Sequence, residues 1–249
     1  MPLRSRVQVT EQDGVLLTMP AAIPEDGDLA VKLVTVFGKN SIRGFPLIHA
    51  AVIVLDINNG QIKALMDAEV LTAVRTGAGV GVATEILARE DSSTVGIIGS
   101  SKLAQSQMEA VCTVRNIKQV RVFSPNPEHA HKCAEEMSGK GPVPDNVQAV
   151  PSSQIATINA DIVCTATTSN KPVISFKNLK QGVHINAVGA FKPEMQEIDA
   201  DTITNSLVIA DSRESVLTEA GDLVIPIKQG IITEDHVHAE IGELHNGTK

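Results

Sequence analysis

The chain contains no tryptophan and no tyrosine, and aromatic side chains make up only 2% of its 249 residues. Proteins that bind single-stranded nucleic acid stack the bases on aromatic rings, which this sequence can hardly supply. Basic side chains are also outnumbered, since 21 lysines and arginines stand against 29 acidic residues, for a formal net charge of −8. Nucleic-acid-binding proteins usually carry a basic surface, so the composition argues against that class.

Cysteine is scarce too, because the chain has only Cys112, Cys133 and Cys164, widely spaced and never in a CxxC motif. This spacing favours neither a disulfide framework nor a common zinc motif. We interpret the three residues as reduced apolar side chains of a cytoplasmic protein. His236 and His238 alternate in a short polar stretch. Their spacing places no third ligand beside them, so we predict no metal site.

Long apolar runs are missing as well. No run approaches the roughly 18 residues that a membrane helix needs, so we expect no membrane partner. The first residues do not show the basic segment and apolar stretch of a secretory signal, and we expect none. With 43% hydrophobic and 20% charged residues, the composition is typical of a globular protein that forms one large domain or two small ones.

The first third of the chain alternates polar and apolar side chains in the way that is typical of antiparallel strands. The predicted strands are 4–10, 15–19, 31–37, 50–56 and 61–66. Helical spacing follows over residues 68–90, although Gly77, Gly79 and Gly81 lie within it. Each glycine costs about 1 kcal/mol in a helix relative to alanine, so we expect this helix to pack closely against another backbone.

From residue 94 onward, short apolar strands alternate with helices. The predicted strands are 94–98, 119–123, 147–150, 161–165, 183–188 and 207–210, and the clearest helices are 103–114 and 127–137. Six such strands with crossovers predict an α/β fold with a doubly wound parallel sheet, the Rossmann arrangement.

The strongest local motif follows the first of these strands and reads Gly99-Ser100-Ser101-Lys102-Leu103-Ala104. A buried strand that turns tightly into a helix points backbone N–H groups and the helix dipole at a phosphate. The motif matches GxGxxA except that Ser101 replaces the second glycine, through which the backbone approaches a pyrophosphate. The serine adds a Cβ there, but its hydroxyl can donate to a phosphate. We predict dinucleotide binding, with a plain strand-to-helix turn as the alternative.

The end of the second strand of this region bears on the choice of cofactor. An acidic residue at this place binds the ribose of NAD, whereas a basic residue accommodates the 2′-phosphate of NADP. The sequence has Ser124 and Asn126 here, which are neutral donors. Such residues tolerate a phosphate better than an aspartate does, so the sequence favours NADP over NAD.

The strand-rich third also carries cations at unusual places. Lys32 interrupts an apolar strand, Arg4 and Arg6 lie in the first strand, and Arg75 lies on the predicted helix. Each of them by itself is typical of an exposed surface cation.

Several short runs taken together resemble the ornithine cyclodeaminase and mu-crystallin family in order and spacing. They are Pro2-Leu3-Arg4, Thr18-Met19-Pro20, Val31-Lys32-Leu33-Val34-Thr35, Leu71-Thr72-Ala73-Val74-Arg75-Thr76, Ile185-Asn186-Ala187-Val188-Gly189 and Glu219-Ala220-Gly221-Asp222. The resemblance covers residues 2–247. It implies a Rossmann domain at 77–211 that binds NAD(H) or NADP(H), inserted in a sheet-rich domain at 1–76 and 212–249 that binds substrate and forms a homodimer.

The resemblance also implies site residues. The substrate carboxylate is expected at Arg4, Lys32 and Arg75, with Arg6 as an alternative to Arg4 because a shift of two residues keeps the same strand face. A forked guanidinium pairs a planar carboxylate through two hydrogen bonds. Lys32 is the catalytic candidate. The cofactor residues are expected to be those of the turn from Gly99 to Ala104, with Ser124, Asn126, Thr76 and Val188.

The sequence departs from the family in three ways. The nucleotide turn has Ser101, the family's leading helical segment is missing before Arg4, and the chain stops after Gly247 where the family continues. We expect a shortened chain with exposed apolar surface and a weakened dimer.

One loop separates the branches of the family. Cyclodeaminases have an aspartate two residues after the glycine of the Asn-Ala-Val-Gly strand end, and this chain has Phe191 there. A phenylalanine neither accepts a proton nor binds a water. Glu194 lies close by, but at a different spacing. The loop resembles that of ketimine reductases and pyrroline-carboxylate reductases.

The resemblance therefore implies NAD(P)H-dependent reduction of a cyclic imino acid, Δ1-pyrroline-2-carboxylate or Δ1-piperideine-2-carboxylate. Three alternatives stay open. They are ornithine cyclodeaminase, which forms proline and ammonia, an amino-acid dehydrogenase of the archaeal alanine type, and a ligand-binding protein without turnover.

Overall fold

The computed structural model describes residues 4–249, and for Ser41 the backbone only. Pro2 and Leu3, which open the first of the motifs above, lie outside the described residues. The chain divides into two compact units, Met1–Arg75 and Thr76–Lys249. The boundary falls one residue before the predicted one.

The first unit contains a five-stranded antiparallel sheet with strand order β1-β2-β3-β4-β5. The strands are β1 Ser5–Val9, β2 Gly14–Ile23, β3 Asp28–Phe37, β4 Ile48–Asp56 and β5 Ile62–Asp67. All five predicted strands are therefore present. Alternate residues of the middle strands face one apolar core, which contains Leu17, Val34 and Val52, as the period of two requires.

The helix α1 spans Glu69–Leu87, so the predicted helix is present. It is long and apolar enough, by length and composition alone, to cross a membrane. In the structure its second half packs within the second unit, because the Asn186 side chain donates to the Thr84 hydroxyl at 3.1 Å and Thr84 is fully buried.

The second unit is built on a five-stranded parallel sheet with strand order β10-β9-β6-β7-β8. The strands are β6 Thr94–Ile98, β7 Gln119–Phe123, β8 Val147–Ala149, β9 Ile162–Thr165 and β10 His184–Ala187. The helices α2 Lys102–Val114, α3 Pro127–Met137 and α4 Ser153–Thr157 connect them. The strand order changes direction between β6 and β9, and a ligand of such a sheet binds outside the carboxyl ends of the strands at that point.

The predicted sixth strand forms but lies elsewhere. It is β11 Val208–Ala210, and it pairs in parallel with β12 Val237–Glu240 in a separate two-stranded sheet. The helices α5 Ala200–Thr204, α6 Arg213–Glu219, α7 Gly221–Lys228 and α8 Ile241–His245 surround this pair. Residues 212–249, which we expected in the sheet-rich domain, instead belong to the second unit, since β12 pairs with a strand of that unit.

The amino edge of the parallel sheet is held by a buried carboxylate. Asp161 precedes β9 and accepts hydrogen bonds from Arg89 at 2.7 Å, from the N–H groups of Ser93 and Thr94 at 2.9 Å each, and from Lys180. Burial alone raises the pKa of Asp161, but these donors outweigh it and lower the pKa to about 2.

Candidate functional site

The predicted nucleotide turn has the geometry that a phosphate-binding turn needs. β6 ends at Ile98, and Gly99 follows with a φ of 123°, a conformation that side chains disfavour. A Cβ on Gly99 would lie 2.6 Å from the carbonyl oxygen of Ala166, which follows β9. Only glycine therefore permits the close approach of these two backbones.

The turn leads directly into the N-terminus of α2. Ser101 is the N-cap residue, and its side chain makes no capping hydrogen bond. The N–H groups of the first turn of α2 lie where a helix attracts an anion, and the Ser101 hydroxyl does not cap them. Ala104 is fully buried, so the last position of the motif fulfils its packing role. These residues fit the phosphates of a dinucleotide.

A cavity of about 360 Å³ opens beside this turn. It is lined by Ser100, Ser101, Lys102, Gln105, His129, Lys132, Cys133 and Glu136. Lys102 and Lys132 share one carboxylate, that of Glu136, at 3.6 and 3.9 Å. The cationic groups thus outnumber the acidic one in a cavity next to a helix N-terminus.

The sequence did not reveal the contribution of α3 to this cavity. His129, Lys132 and Glu136 recur at intervals of three and four residues, which is the spacing of one helix face. That spacing, directly after the second strand of the predicted fold, is the signal that could have found them.

Ser124 and Asn126 follow β7, as predicted. Ser124 is buried, with 8% of its surface exposed. The Asn126 side chain caps α3, because its oxygen accepts the N–H of Glu128 at 3.0 Å. The cap uses the amide oxygen of Asn126. Its NH₂ group can therefore donate to an anion while the cap is kept.

The first unit brings together the three predicted carboxylate-binding residues. Burial, followed by repulsion from Arg75 and from Arg4, lowers the pKa of Lys32 to about 8. The part of this lowering of the pKa that comes from the two arginines indicates a place of positive potential, where an anion such as a carboxylate is favoured.

The register of the sheet explains this position. Lys32 of β3 lies opposite Met19 of β2 and Val52 of β4, so its side chain lies on the same face of the sheet as the apolar core. Arg6 pairs with Leu17 and shares that face with Arg4, two residues away. The cations that lower the pKa of Lys32 are Arg4 and Arg75, whereas Arg6 is not among them. Of these two arginines, Arg4 is therefore the one whose charge acts on Lys32.

The loop after β10 contains Phe191 and Glu194, on which the predicted choice between a reductase and a cyclodeaminase depends. Val188 packs against the core of the second unit. Phe191 is half-buried and its N–H donates to the Gly189 carbonyl at 3.0 Å. Glu194 is exposed. Thr76, another predicted cofactor residue, is half-buried on α1 and is the first residue of the second unit.

Two fully or nearly buried carboxylates near this loop were not among the predicted site residues. Glu197 has no exposed surface, and Asp222 is 5% exposed. Burial raises the pKa of Glu197, and burial together with the charge of Glu197 raises the pKa of Asp222 to about 7. Nothing in the local sequence marks Glu197. Asp222 ends the run Glu219-Ala220-Gly221-Asp222, but that run gives no sign of its burial, because the hydrogen-bond donors of both carboxylates come from distant segments.

The three cysteines and His236 are held within the fold. Cys112, Cys133 and Cys164 are free and buried, and burial raises the pKa of Cys112 and Cys164 to about 12. His236 contacts the Ile203 carbonyl at 2.8 Å. Within residues 4–249, no group of three or more histidine, cysteine or acidic side chains is placed to hold a metal ion.

Comparison with known proteins agrees with this arrangement. The model of the ornithine cyclodeaminase/mu-crystallin family matches residues 1–249. A Δ1-pyrroline-2-carboxylate reductase of Bacillus cereus (strain ZK / E33L) is 37% identical over 249 residues, which are 100% of this chain and 76% of the relative. The chain belongs to the ornithine cyclodeaminase/mu-crystallin family.

Two solved structures share the fold over the whole chain. The Δ1-pyrroline-2-carboxylate reductase of Thermococcus litoralis, in complex with NADH and L-proline, is 42% identical with a TM-score of 0.96, and the match covers 100% of this chain and 76% of that one. An archaeal alanine dehydrogenase dimer with bound NAD is 31% identical with a TM-score of 0.92, over 100% and 75%. The α/β fold, with one antiparallel and one parallel sheet, is thus that of nicotinamide-binding relatives.

Proposed function

We propose that this protein reduces a cyclic imino acid, Δ1-pyrroline-2-carboxylate or Δ1-piperideine-2-carboxylate, with a nicotinamide cofactor. The observation that carries the proposal is the cation cluster of Arg4, Lys32 and Arg75 in the first unit. The second unit supplies a turn that only glycine permits and an uncapped helix N-terminus, which suit a dinucleotide. Relatives that match the whole chain and carry the name of this reductase support the assignment.

Each residue of the cluster has a distinct role in this proposal. Arg4 and Arg75 bind the substrate carboxylate, because their guanidinium groups provide paired donors. Lys32 can supply a proton to the imine nitrogen. Its pKa of about 8 means that its amine keeps this proton at neutral pH. A protonated imine nitrogen makes the neighbouring carbon electrophilic, and the bound cofactor supplies the hydride. No strong base is required.

We propose a preference for NADPH over NADH. Lys102 and Lys132 line the cavity beside the nucleotide turn with a single acidic partner, and a 2′-phosphate is favoured among cations. Lys132→Glu should raise the KM for NADPH about tenfold and leave the KM for NADH unchanged within a factor of two. Lys140→Glu, at an exposed lysine that does not line the cavity, is the matched control.

We also propose a cytoplasmic homodimer. The first unit exposes large apolar side chains, namely Val7, Ile62, Leu65, Val70 and Val74. Exposed apolar side chains are often buried in protein interfaces, and an archaeal relative of the same fold is a dimer. Light scattering should give twice the chain mass for the wild type. Leu65→Glu should shift it toward the monomer, whereas an unchanged mass would exclude this surface.

The function is tested by following NADPH and NADH consumption with five- and six-membered cyclic imino acids. Pyrroline without a carboxylate is the matched control, and we expect it to react at least a hundredfold more slowly. Ornithine should give no proline, since Phe191 occupies the place of the carboxylate that a cyclodeaminase needs. Proline formed from ornithine without added reductant would show a cyclodeaminase instead, and imine binding without turnover would show a binding protein.

A further inference from the structure

The side chain of Glu197 joins two loops at the carboxyl edge of the parallel sheet. One carboxylate oxygen accepts the Thr167 N–H at 2.7 Å. The other accepts both the Thr165 hydroxyl and the Gly189 N–H, each at 2.7 Å. Thr165 and Thr167 belong to the end of β9 and its following loop, and Gly189 belongs to the loop after β10. A single carboxylate therefore fixes both loops.

The space around these hydrogen bonds is closed. A Cβ on Gly189 would lie 2.4 Å from the Thr167 carbonyl oxygen and 2.5 Å from a carboxylate oxygen of Glu197. The two loops thus contact each other directly, with the carboxylate between them. Because Glu197 has no exposed surface, it does not touch a bound ligand and can act only through these loops.

A second buried carboxylate holds Glu197 itself in place. One oxygen of Asp222 accepts the N–H of Glu197 at 2.7 Å and the N–H of Ile198 at 2.9 Å. Asp222 lies at the start of α7, behind Gly221. A Cβ on Gly221 would lie 1.9 Å from the Met195 carbonyl oxygen. The backbone that carries Glu197 is therefore fixed by packing as well as by hydrogen bonds.

The sheet topology determines what these loops face. In a doubly wound sheet the adenosine half of a dinucleotide lies beyond the strand next to the phosphate turn, here β7, and the pyrophosphate lies at the turn itself. The remaining nicotinamide half then extends to the other side of the switch point, over the ends of β9 and β10. Gly99 already contacts the first of these loops at Ala166.

We propose that Glu197 is a positioning residue for the nicotinamide half of the cofactor, which it serves by holding the loops after β9 and β10 at a fixed separation. The proposal rests on the nicotinamide-dependent function proposed above. It assigns the adenosine half to a different part of the site, so the two halves respond differently when Glu197 is changed.

The test is Glu197→Gln, with direct binding measured by the fluorescence of the reduced nicotinamide. The chain has no tryptophan or tyrosine to interfere. A glutamine keeps the size but has one acceptor oxygen, so its NH₂ group must face one of the N–H donors. We expect the Kd for NADPH or NADH to rise about tenfold. The Kd for ADP-ribose or 2′-phospho-ADP-ribose, which lack nicotinamide, should change less than twofold.

The matched control is Asp161→Asn. It removes a buried carboxylate that directly precedes the same strand, β9, at the end opposite to Thr165. Both variants should lower the melting temperature, but only the change at Glu197 should weaken dinucleotide binding. Thr165→Val removes one of the three donors without changing the side-chain shape, and it should weaken dinucleotide binding two- to threefold. If Glu197→Gln does not fold, binding by Thr165→Val tests the proposal instead.

The outcomes separate this inference from the proposed function. If the wild type binds neither NADH nor NADPH, the proposed function fails. If the wild type binds them but Glu197→Gln binds the dinucleotide equally well, or loses ADP-ribose to the same extent, Glu197 has no specific role toward the nicotinamide half. An equal loss of dinucleotide affinity in Asp161→Asn would also overturn the inference.

Discussion

Gly77 of α1 faces the backbone of Ser106 of α2, and a Cβ on Gly77 would lie 2.6 Å from the Ser106 carbonyl oxygen. Gly81, one turn later, approaches the Ala110 Cβ at 3.4 Å by the same measure, whereas Gly79 has nothing within 4 Å. The expectation of close packing against another backbone is thus confirmed for Gly77. It is wrong for Gly79, and Gly81 lies only at an ordinary van der Waals distance from a side-chain atom.

This difference makes a matched pair of substitutions. Gly77→Ala should lower the free energy of unfolding by about 1–3 kcal/mol, because the added methyl group overlaps a backbone atom that cannot move alone. Gly79→Ala should raise it by up to about 1 kcal/mol, because alanine favours the helix. Chemical denaturation of both variants measures the two effects. Equal effects would show that α1 and α2 do not pack as described.

Arg75 provides the second prediction. Arg75→Ala should lower kcat/KM for the cyclic imine by an amount equivalent to about 2–5 kcal/mol, because a charge-assisted pair with the substrate carboxylate is lost. Arg75→Lys should recover only part of this loss, since a point charge lacks the fork. Cofactor affinity, measured by fluorescence, should remain unchanged. A parallel loss of cofactor affinity would instead assign Arg75 to the structure of the protein or to the cofactor.

The third prediction concerns the protonation of Lys32. Burial and the charges of Arg75 and Arg4 lower its pKa to about 8, so the amine loses its proton as the pH rises through that value. Imine reduction should fall over the same range, and Arg75→Gln should move this fall to higher pH because one repulsive charge is gone. NMR of ¹³C-labelled lysine measures the pKa directly. A Lys32 pKa that stays the same in Arg75→Gln would contradict the cluster.

The fourth prediction concerns the stability of the fold. The pKa of Asp222 is raised to about 7 by burial and by Glu197, whereas an unfolded aspartate titrates near the ordinary value of 3.8. The folded state therefore binds the proton more tightly. The stabilisation is complete below about pH 4 and is lost as the pH rises toward 7.

Asp222→Asn tests this dependence, because an asparagine oxygen can still accept the two N–H groups. The variant should lose less stability than the wild type between pH 4 and pH 7. Glu197, whose pKa is raised too, contributes to the dependence that remains. Denaturation midpoints across this range provide the measurement, and identical slopes for the two proteins would mean that Asp222 is ionised throughout.

Most elements of the fold could be predicted from local pattern. The five strands of the first unit, α1, and the turn from β6 into α2 all depend on spacing that repeats within a few residues. The turn was recognised despite Ser101 because the buried strand, Gly99 and the buried Ala104 are adjacent in the chain. The three cations of the first unit came from the family resemblance, since each by itself is typical of a surface residue.

The tertiary structure decided what depends on distant segments. The strand β11 was predicted, whereas β12 was not. The place of β11 outside the parallel sheet was also not predicted, because nothing in a three-residue strand specifies which strand it pairs with. The same pairing places residues 212–249 in the second unit. Arg4 and Arg6 share one strand face, and only the folded positions show that Arg4 and Arg75 act on Lys32.

The buried carboxylates show the limit of the sequence most directly. Glu197 resembles any surface glutamate in its own segment. Its role arises because Thr165, Thr167 and Gly189, up to 32 residues away, bring their donors to it. A charge is tolerated inside a protein only where hydrogen bonds replace its water. The sequence by itself determined which elements form and where the nucleotide turn lies, and only the tertiary structure could decide which charges are buried, because that depends on donors from separate loops.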